Sequence, residues 1–138
     1  MEHVQEIHGP GGWGTILMYK GVEKEISGGM KHTTNNIMEI TAVIEGLKML
    51  KYKCEVEIYS DSAYVVNAFN NKWIYGWIKN NWINSNKEPV KNKELWQELY
   101  NLTKEHEVKF IKVKGHSDNK YNNRCDELAR AAISKVNV

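Results

Sequence analysis

Three acidic residues stand where a purely structural acid would be costly. Glu39 lies among apolar residues near the start of a helical pattern, Asp61 closes an apolar strand pattern, and Asp126 lies on a later helical pattern. A carboxylate on a packed face destabilises the fold unless it is paired or binds a metal ion. If the three side chains converge, they suggest a site for divalent metal ions, because hard cations prefer oxygen ligands.

Each candidate also has an ordinary structural interpretation. Glu39 could be a first-turn glutamate favoured by the helix dipole, and Asp61 could cap the helix that follows it. Asp126 could pair with Arg130, one turn later on the same helix. His116, in a Gly-His-Ser-Asp loop, could be simply exposed, although an imidazole titrates near neutral pH and suits proton transfer. A metal site requires the acidic side chains to lie close together in the folded protein, whereas the structural roles do not.

The elements that position these residues follow from hydrophobic periodicity. We predict strands at 13–19, 22–26, 55–60 and 108–113, helices at 36–51, 62–69, 92–104 and 122–135, and an irregular helical stretch at 72–83. Gly9-Pro-Gly-Gly12 is typical of a turn. The order β-β-α-β-α-α-α-β-α indicates an α/β fold with a mixed sheet covered by helices. Sites in such sheets form at the carboxyl ends of strands, where Asp61 and the loop 114–118 lie.

Composition excludes several classes of protein. The chain has 138 residues, of which 41% are hydrophobic and 26% charged, and this predicts one globular domain over 1–138. No apolar run approaches the roughly 20 residues of a membrane span. Residues 1–12 lack the features of a signal peptide. We therefore expect a cytoplasmic protein in which Cys54 and Cys125 are buried free thiols rather than a disulfide.

Positive charge is concentrated in one segment. The net charge of the chain is only +2, yet the range 72–93 holds five lysines and one glutamate, a net of +4. Three tryptophans share that segment. Trp73 and Trp77, at i and i+4, are expected to pack on each other or on the core, whereas Trp82 is the better candidate for stacking on a nucleic-acid sugar or base. A basic, aromatic strip is typical of a surface that contacts a phosphate backbone.

Six sequence blocks, taken together, resemble ribonuclease HI of the bacterial type. They are Gly9-Pro-Gly-Gly-Trp-Gly14, Thr33-Thr-Asn-Asn-Ile-Met-Glu39, Ile58-Tyr-Ser-Asp-Ser62, Pro89-Val-Lys-Asn92 with Leu95-Trp96, Val113-Lys-Gly-His116 and Asn123-Arg-Cys-Asp-Glu-Leu-Ala129. The blocks occur in family order over roughly residues 9 to 134. The resemblance implies a ribonuclease H-like mixed five-stranded sheet flanked by helices.

The resemblance also implies cleavage of the RNA strand of RNA–DNA hybrids with two Mg²⁺ or Mn²⁺ ions. Glu39, Asp61 and Asp126 match the family's metal carboxylates, and His116 matches its mobile histidine. Two such ions, roughly 4 Å apart, clamp the scissile phosphate, activate water and stabilise the leaving oxygen.

The family's contacts with the hybrid can be carried over in the same way. Asn35 and Asn36 match residues in the minor groove, where short amides can read 2′-hydroxyl groups. Thr34 and Asn92 match a pocket for a DNA phosphate, and the strip 72–91 matches a basic protrusion. The expected substrate-binding residues are Thr34, Asn35, Asn36, Asn92, Trp73, Trp77, Trp82, Lys79, Lys87 and Lys91.

The N-terminus departs from the family pattern. Family members begin with a central strand that ends in a catalytic aspartate, and an ungapped alignment places Met1 at that position. Three interpretations remain open. In the first, residues 2–7 form the strand and Glu6 (or Glu2) replaces the aspartate. In the second, a strand from a second copy enters by domain swapping, although we expect a monomer. In the third, the sequence is a truncated product that binds poorly or does not cleave. Glutamate is one methylene longer than aspartate, so we expect reduced activity even in the first case.

Three functions therefore compete. The first is an active, metal-dependent hybrid nuclease. The second is a non-catalytic module that binds RNA–DNA hybrids. The third is a DNA-cutting nuclease or integrase relative, against which the blocks around Asn35 and His116 argue. Whether residues 1–8 supply the missing acid distinguishes the active nuclease from the non-catalytic module.

Overall fold

A computed structural model describes residues 9–114 and 119–136, and within them the predicted order of strands and helices is confirmed. The elements are β1 (Gly9–Tyr19), β2 (Val22–Thr33), α1 (Asn35–Lys48), β3 (Glu55–Ser60), α2 (Ala63–Asn70), α3 (Trp73–Lys79), α4 (Lys93–Lys104), β4 (Glu107–Lys112) and α5 (Lys120–Val136). In these two ranges, no helix combines the length and the apolar character that crossing a bilayer requires.

The four described strands form two pairs of opposite kinds. Strands β1 and β2 form an antiparallel hairpin that turns at Lys20-Gly21, with Tyr19 opposite Val22. Strands β3 and β4 are parallel, in a register that runs from Glu55 opposite Glu107 to Ser60 opposite Lys112. The expected mixture of strand directions is confirmed. The fifth strand, expected within residues 2–7, lies outside the described residues.

Several predicted boundaries were wrong for identifiable reasons. Gly9–Gly12 is not a turn but the start of β1, which pairs with the end of β2 across a register shift between Gly9 and Gly11. Glycine-rich strands lack the side-chain alternation that reveals a strand in a sequence. Helix α1 ends at Lys48, before the expected Lys51, because the N–H groups of Met49 and Leu50 bond three residues back.

Helix α5 begins earlier than predicted because of a local cap. The Asn119 side chain accepts hydrogen bonds from the N–H groups of Tyr121 (3.0 Å) and Asn122 (3.1 Å). These are N–H groups that a helix start leaves without intrahelical partners. The helix therefore begins at Lys120 rather than at Asn122.

The hydrophobic core joins helices α1, α2 and α4 to the parallel strand pair. Ile40, Ile44, Trp96 and Leu99 are essentially inaccessible to solvent. The core also contains ring contacts: Phe69 stacks on Phe110 at 4.3 Å between centroids, and Tyr64 tilts against Trp96 at 5.1 Å. Because α1 carries two of the most buried side chains, its position relative to β3 and β4 is set by packing.

One tyrosine hydroxyl links two helices beside this core. The Tyr64 hydroxyl, on α2, accepts hydrogen bonds from the Trp96 indole Nε1 and from Asn92 Nδ2, both at 3.2 Å. Trp96 is fully buried, so its N–H has no solvent alternative. The hydroxyl therefore satisfies a buried donor and, at the same time, holds the residue that precedes α4.

We expect Tyr64→Phe to lower the free energy of unfolding by about 1–3 kcal/mol, the cost of leaving a buried donor without a partner. Urea unfolding measures the effect. Tyr75→Phe is the matched control, because Tyr75 is 51% exposed and its ring contact with Tyr100 does not need the hydroxyl. Equal stability of the two variants would contradict the role assigned to Tyr64.

Candidate active site

The three acids identified in the sequence converge in the fold. Glu39 lies in the second turn of α1, Asp61 directly follows β3, and Asp126 lies in the second turn of α5. All three side chains are half-buried. The charges of Asp61 and Asp126 both act on Glu39 and make its ionisation less favourable. Three elements distant in sequence therefore bring their carboxylates into one electrostatically coupled group.

Burial and repulsion raise the pKa of Glu39 to about 7, from an ordinary value of 4.5. The largest cause is desolvation by burial, followed by the charge of Asp61 and then by that of Asp126. Both effects penalise the carboxylate form. A bound divalent cation would oppose both, because it supplies positive charge where the carboxylates repel one another.

The structural interpretations of the acids are wrong at each position. Glu39 is not in the first turn of α1, which holds no acid. The cap of α2 is Ser62 rather than Asp61, since the Ser62 hydroxyl accepts from the Val65 N–H at 3.2 Å. Within the described part of the chain, Asp126 forms no ion pair with Arg130. A position in the first helical turn, a helix cap and an ion pair therefore do not account for Glu39, Asp61 and Asp126, respectively.

A neighbouring arginine is engaged elsewhere. Arg124 forms an ion pair with Glu25 on β2, with its Nε 2.7 Å from the carboxylate, and a second with Glu127 at 3.1 Å. The paired guanidinium lowers the pKa of Glu25. These contacts link α5 to the hairpin and leave the Asp126 carboxylate to the acidic group.

One residue beside the acids was missed in the sequence. Asn122 Nδ2 donates a hydrogen bond to Asp61 Oδ2 at 3.4 Å. Asn122 and Asp126 lie four residues apart on α5, so both point to the same side of the helix. That spacing is the signal that could have indicated Asn122, because a residue one turn from a candidate metal-binding acid shares its face of the helix.

The loop that carries Asp61 is held by backbone and hydroxyl bonds. The Ser60 hydroxyl accepts from the Ser62 N–H at 3.1 Å, and the Ser60 carbonyl accepts from the Val113 N–H at 2.9 Å. The second bond continues the parallel pairing beyond β4. Asp61 therefore emerges at the carboxyl end of a paired strand, as predicted.

The ligand chemistry of the group fits hard divalent cations, because carboxylate and amide oxygens are its donors. Across residues 9–114 and 119–136, no three His, Cys, Asp or Glu side chains form a group that could hold a metal ion by themselves. Mg²⁺ ordinarily takes one or two carboxylates and completes its shell with water and substrate phosphate oxygens. The carboxylates of the described residues are therefore suited to supply some of the ligands of Mg²⁺, with water and substrate supplying the others. His116, Glu6 and Glu2, which were also expected to contribute, lie outside the described residues.

Three of the expected hybrid contacts, Thr34, Asn35 and Asn36, lie at the start of α1. The Thr34 hydroxyl caps the helix by accepting from the Ile37 N–H at 3.2 Å, and Thr34 is buried. Asn35 is exposed and Asn36 is half-buried in the first turn. Asn35 lies four residues before Glu39, so the amide and the carboxylate share one side of the helix.

Asn92, Trp77 and Trp82 lie around the pair Tyr64 and Trp96. Asn92 precedes α4 with a left-handed backbone (φ 60°) and donates to Tyr64. Trp77 packs against Trp96 at 5.5 Å and against Trp82 at 6.3 Å between ring centroids, so both partly enter the core. Trp73, at the start of α3, is 43% exposed and is more exposed than Trp77 or Trp82. Exposure therefore favours Trp73 for contact with a ligand over Trp82, the residue that the sequence favoured.

The basic strip lies beside a shallow cavity of about 200 Å³. The cavity is lined by Tyr64, Trp77, Asn84, Val90 and Lys91. Lys79, Lys87 and Lys91 are all exposed to solvent. The surface therefore combines positive charge with aromatic rings, as the sequence indicated.

Both cysteines are free, as expected, although each is half-buried rather than fully buried. Burial raises the pKa of the Cys125 thiol to about 11, against a smaller opposing effect of a hydrogen bond from the Ile16 backbone. A thiol in this state is neutral at physiological pH.

The raised pKa of Glu39 makes a prediction about stability. Between a pH of about 4.5 and a pH of about 7, Glu39 keeps its proton in the folded protein but loses it in the unfolded chain. The contribution of Glu39 to the free energy of unfolding therefore falls as the pH rises through this range. Without metal, we expect the stability of Glu39→Gln relative to the parent to increase by about 2 kcal/mol between pH 5 and pH 8. Urea unfolding in EDTA at the two pH values measures it.

Glu45→Gln, on the exposed side of the same helix, is the control and should show no such increase. The Glu45 side chain is 39% exposed and pairs with Lys48. If the difference in the free energy of unfolding between Glu39→Gln and the parent does not change with pH, Glu39 is not repelled by neighbouring carboxylates.

Comparisons with known proteins identify the family of the chain. The RNase H family model matches residues 4–134. A ribonuclease H of Caldanaerobacter subterraneus subsp. tengcongensis is 59% identical over 127 residues, covering 92% of this chain and 83% of the relative. A ribonuclease H of Acetivibrio thermocellus is 61% identical over 127 residues, covering 92% of this chain and 86% of the relative.

Solved structures show the same fold. LC9-RNase H1, described as a type 1 RNase H with the type 2 active-site motif, has a TM-score of 0.75 at 20% identity and covers 98% of this chain and 75% of its own. LC11-RNase H1 in complex with RNA/DNA hybrid has a TM-score of 0.71 at 26% identity, with 99% and 94% covered. The ribonuclease H-like α/β fold is thereby confirmed. The family model spans nearly the whole chain and the relatives are this similar, so the chain belongs to the ribonuclease H family.

Proposed function

We propose that this protein is a divalent-metal-dependent endonuclease that hydrolyses the RNA strand of RNA–DNA hybrids. The observation that carries the proposal is the convergence of Glu39, Asp61 and Asp126 from α1, β3 and α5. Membership of the ribonuclease H family supports the same reaction. The complex of LC11-RNase H1 with RNA/DNA hybrid supports a hybrid as the substrate.

The three carboxylates would supply part of the ligands of the metal ions, and water and substrate phosphate would supply the rest. Mg²⁺ and Mn²⁺ are the fitting cations, and two ions per site are the expected number. When bound, the ions supply Lewis acidity at the scissile phosphate and lower the pKa of a water molecule. The residues of the chain itself contribute by holding the carboxylates in position. Asn122 restrains Asp61 through its amide hydrogen bond, and the cap at Thr34 fixes the start of the helix that carries Glu39.

Binding of the hybrid would use two regions. The exposed amide of Asn35 lies one turn from Glu39, where it can meet a 2′-hydroxyl near the cut phosphate. The strip 72–91 offers Lys79, Lys87 and Trp73 to the phosphate backbone and sugars. Two regions of this kind suit a duplex substrate, because one would contact the reacting strand while the other would position the backbone.

Proton transfer and the fourth carboxylate are assigned to residues outside the described ranges. We propose His116 as the group that assists proton transfer, and Glu6 as the replacement for the family aspartate. The extra methylene of glutamate displaces the carboxylate relative to aspartate. We therefore propose reduced activity rather than none.

The function is tested with an end-labelled RNA–DNA hybrid in Mg²⁺ and in Mn²⁺. We expect the parent to cleave the RNA strand, and Asp61→Asn to lose more than about a hundredfold in rate, since loss of a partner behind the ligands alone costs about ten- to a hundredfold. Glu57→Gln is the control, because it makes the same change on the exposed side of β3 and should cleave like the parent.

The outcomes separate the competing functions. Tight hybrid binding without cleavage in either metal would indicate a non-catalytic binding module. Cutting of an all-DNA duplex at the same rate would indicate a DNA nuclease. If the parent cleaves, loss of cleavage in Glu6→Gln but not in Glu2→Gln would identify the fourth carboxylate.

The basic strip is tested by the salt dependence of binding. Replacing Lys79 and Lys87 together by glutamine should weaken hybrid binding and reduce the slope of log affinity against log salt by about 2, because each contacted phosphate contributes nearly one unit. Fluorescence anisotropy in EDTA measures binding without cleavage. The control is Lys51→Gln with Lys53→Gln, a pair of exposed lysines outside the strip. Equal slopes for both double variants would exclude the strip as the binding surface.

A further inference from the structure

A flat surface made of three glycines lies beneath helix α5. We call it the glycine platform, and it consists of Gly12 and Gly14 on β1 and Gly29 on β2. Gly12 and Gly14 alternate along the strand and Gly29 pairs directly with Gly12, so all three face the same side of the hairpin. Helix α5 packs on this side.

The approach of the helix leaves no room for a side chain at two of these positions. A Cβ atom at Gly14 would lie 2.6 Å from the Cys125 carbonyl oxygen and 2.7 Å from the Leu128 Cβ atom. A Cβ atom at Gly12 would overlap the Ala129 carbonyl oxygen. Because backbone atoms cannot rotate away as a side chain can, any substituent here must move the helix itself.

The platform contacts the turn that carries one of the three acids. Asp126 lies between Cys125 and Leu128, the two residues that Gly14 meets. The other end of the platform is different. A Cβ atom at Gly29 would lie 3.0 Å from the carbonyl oxygen of Ala132, which is more than a turn further along α5 than Asp126. Gly14 is therefore the platform residue that determines how far Asp126 stands from β1.

Thr15, the residue after Gly14, contacts α1, the helix that carries Glu39, from the opposite face of β1. The Thr15 hydroxyl donates a hydrogen bond to the Ala42 carbonyl of α1 at 2.7 Å. Ala42 lies three residues after Glu39, so it is one turn away on the same helix. The Thr15 methyl group also lies 3.0 Å from where a Cβ atom at Gly46 would stand, so α1 rests closely on this residue.

We infer that Gly14 and Thr15 are positioning residues, which set the separation of Asp126 and Glu39 across one strand and thereby the affinity of the site for divalent cations. The inference rests on the proposed function, because it concerns the same carboxylates. Successive residues of a strand point to opposite faces, so two neighbours can hold two helices at one fixed distance.

The experiment measures Mn²⁺ binding directly, by water-proton relaxation, alongside the Mg²⁺ dependence of hybrid cleavage. Gly14→Ala should raise the Mn²⁺ Kd and the Mg²⁺ concentration for half-maximal cleavage by about tenfold or more, as displaced supports of metal ligands do. Gly9→Ala is the matched control, because it lies in the same strand with open space around its Cβ position and should bind as the parent does. Gly29→Ala should lower the Tm without changing Mn²⁺ affinity.

A second pair of variants tests the other face and does not depend on the folding of Gly14→Ala. Thr15→Val removes the hydroxyl and keeps the shape, and should weaken Mn²⁺ binding. Thr15→Ser restores the hydroxyl and should recover the binding. Unchanged Mn²⁺ affinity in Thr15→Val and in folded Gly14→Ala would overturn the inference, as would an equal loss in Gly29→Ala. A parent that neither binds Mn²⁺ nor cleaves would instead contradict the proposed function.

Discussion

The burial of Glu39 and its repulsion by two neighbouring carboxylates are the constraint on which this arrangement depends. Asp61 and Asp126 both make ionisation of Glu39 less favourable, and burial adds the largest share. Such a group does not assemble by its own attraction, so the surrounding structure must hold it. The free energy comes from the apolar core, in which Ile40 and Ile44 anchor the helix that carries Glu39.

The supports of the acids are short and mostly involve the backbone. Asp61 follows a strand whose pairing continues through the Ser60–Val113 bond, and Asn122 restrains its carboxylate from α5. Helix α5 is in turn packed against β1 so closely that a side chain at Gly14 would meet backbone atoms. Supports of this kind move little, because they have few rotatable bonds. They suit a site in which small displacements of ligands have large effects.

Charge is distributed so that the acids and the lysines do not neutralise each other. The three acids are carried by α1, by α5 and by the residue that follows β3, whereas the strip 72–91 comprises α3 and the segment after it. A polyanionic substrate is attracted by the strip and repelled by the unmetallated acids. Divalent cations would reverse that local repulsion, which makes metal binding and hybrid binding mutually favourable in the proposed function.

Residue types and spacing were sufficient to predict the three acids, the order of the nine described elements and the basic strip. These features are local, because hydrophobic periodicity and charge runs are properties of neighbouring residues. The extension of β1 through Gly9–Gly12 was not predictable in this way, since it depends on a partner strand that supplies the hydrogen bonds.

Tertiary structure alone decided the remaining features. The hydroxyl of Tyr64 serves Asn92 and Trp96, which lie 28 and 32 residues away, and the Asn122 amide reaches Asp61 across 61 residues. Local spacing carries no information about such distances. The glycines of Gly9–Gly14 resemble those of a turn, and only the packed helix reveals that two of them are needed for its close approach. The sequence by itself determined which chemistry is present, and the packing decided which groups hold it in place, because contacts between distant segments exist only after the chain has folded.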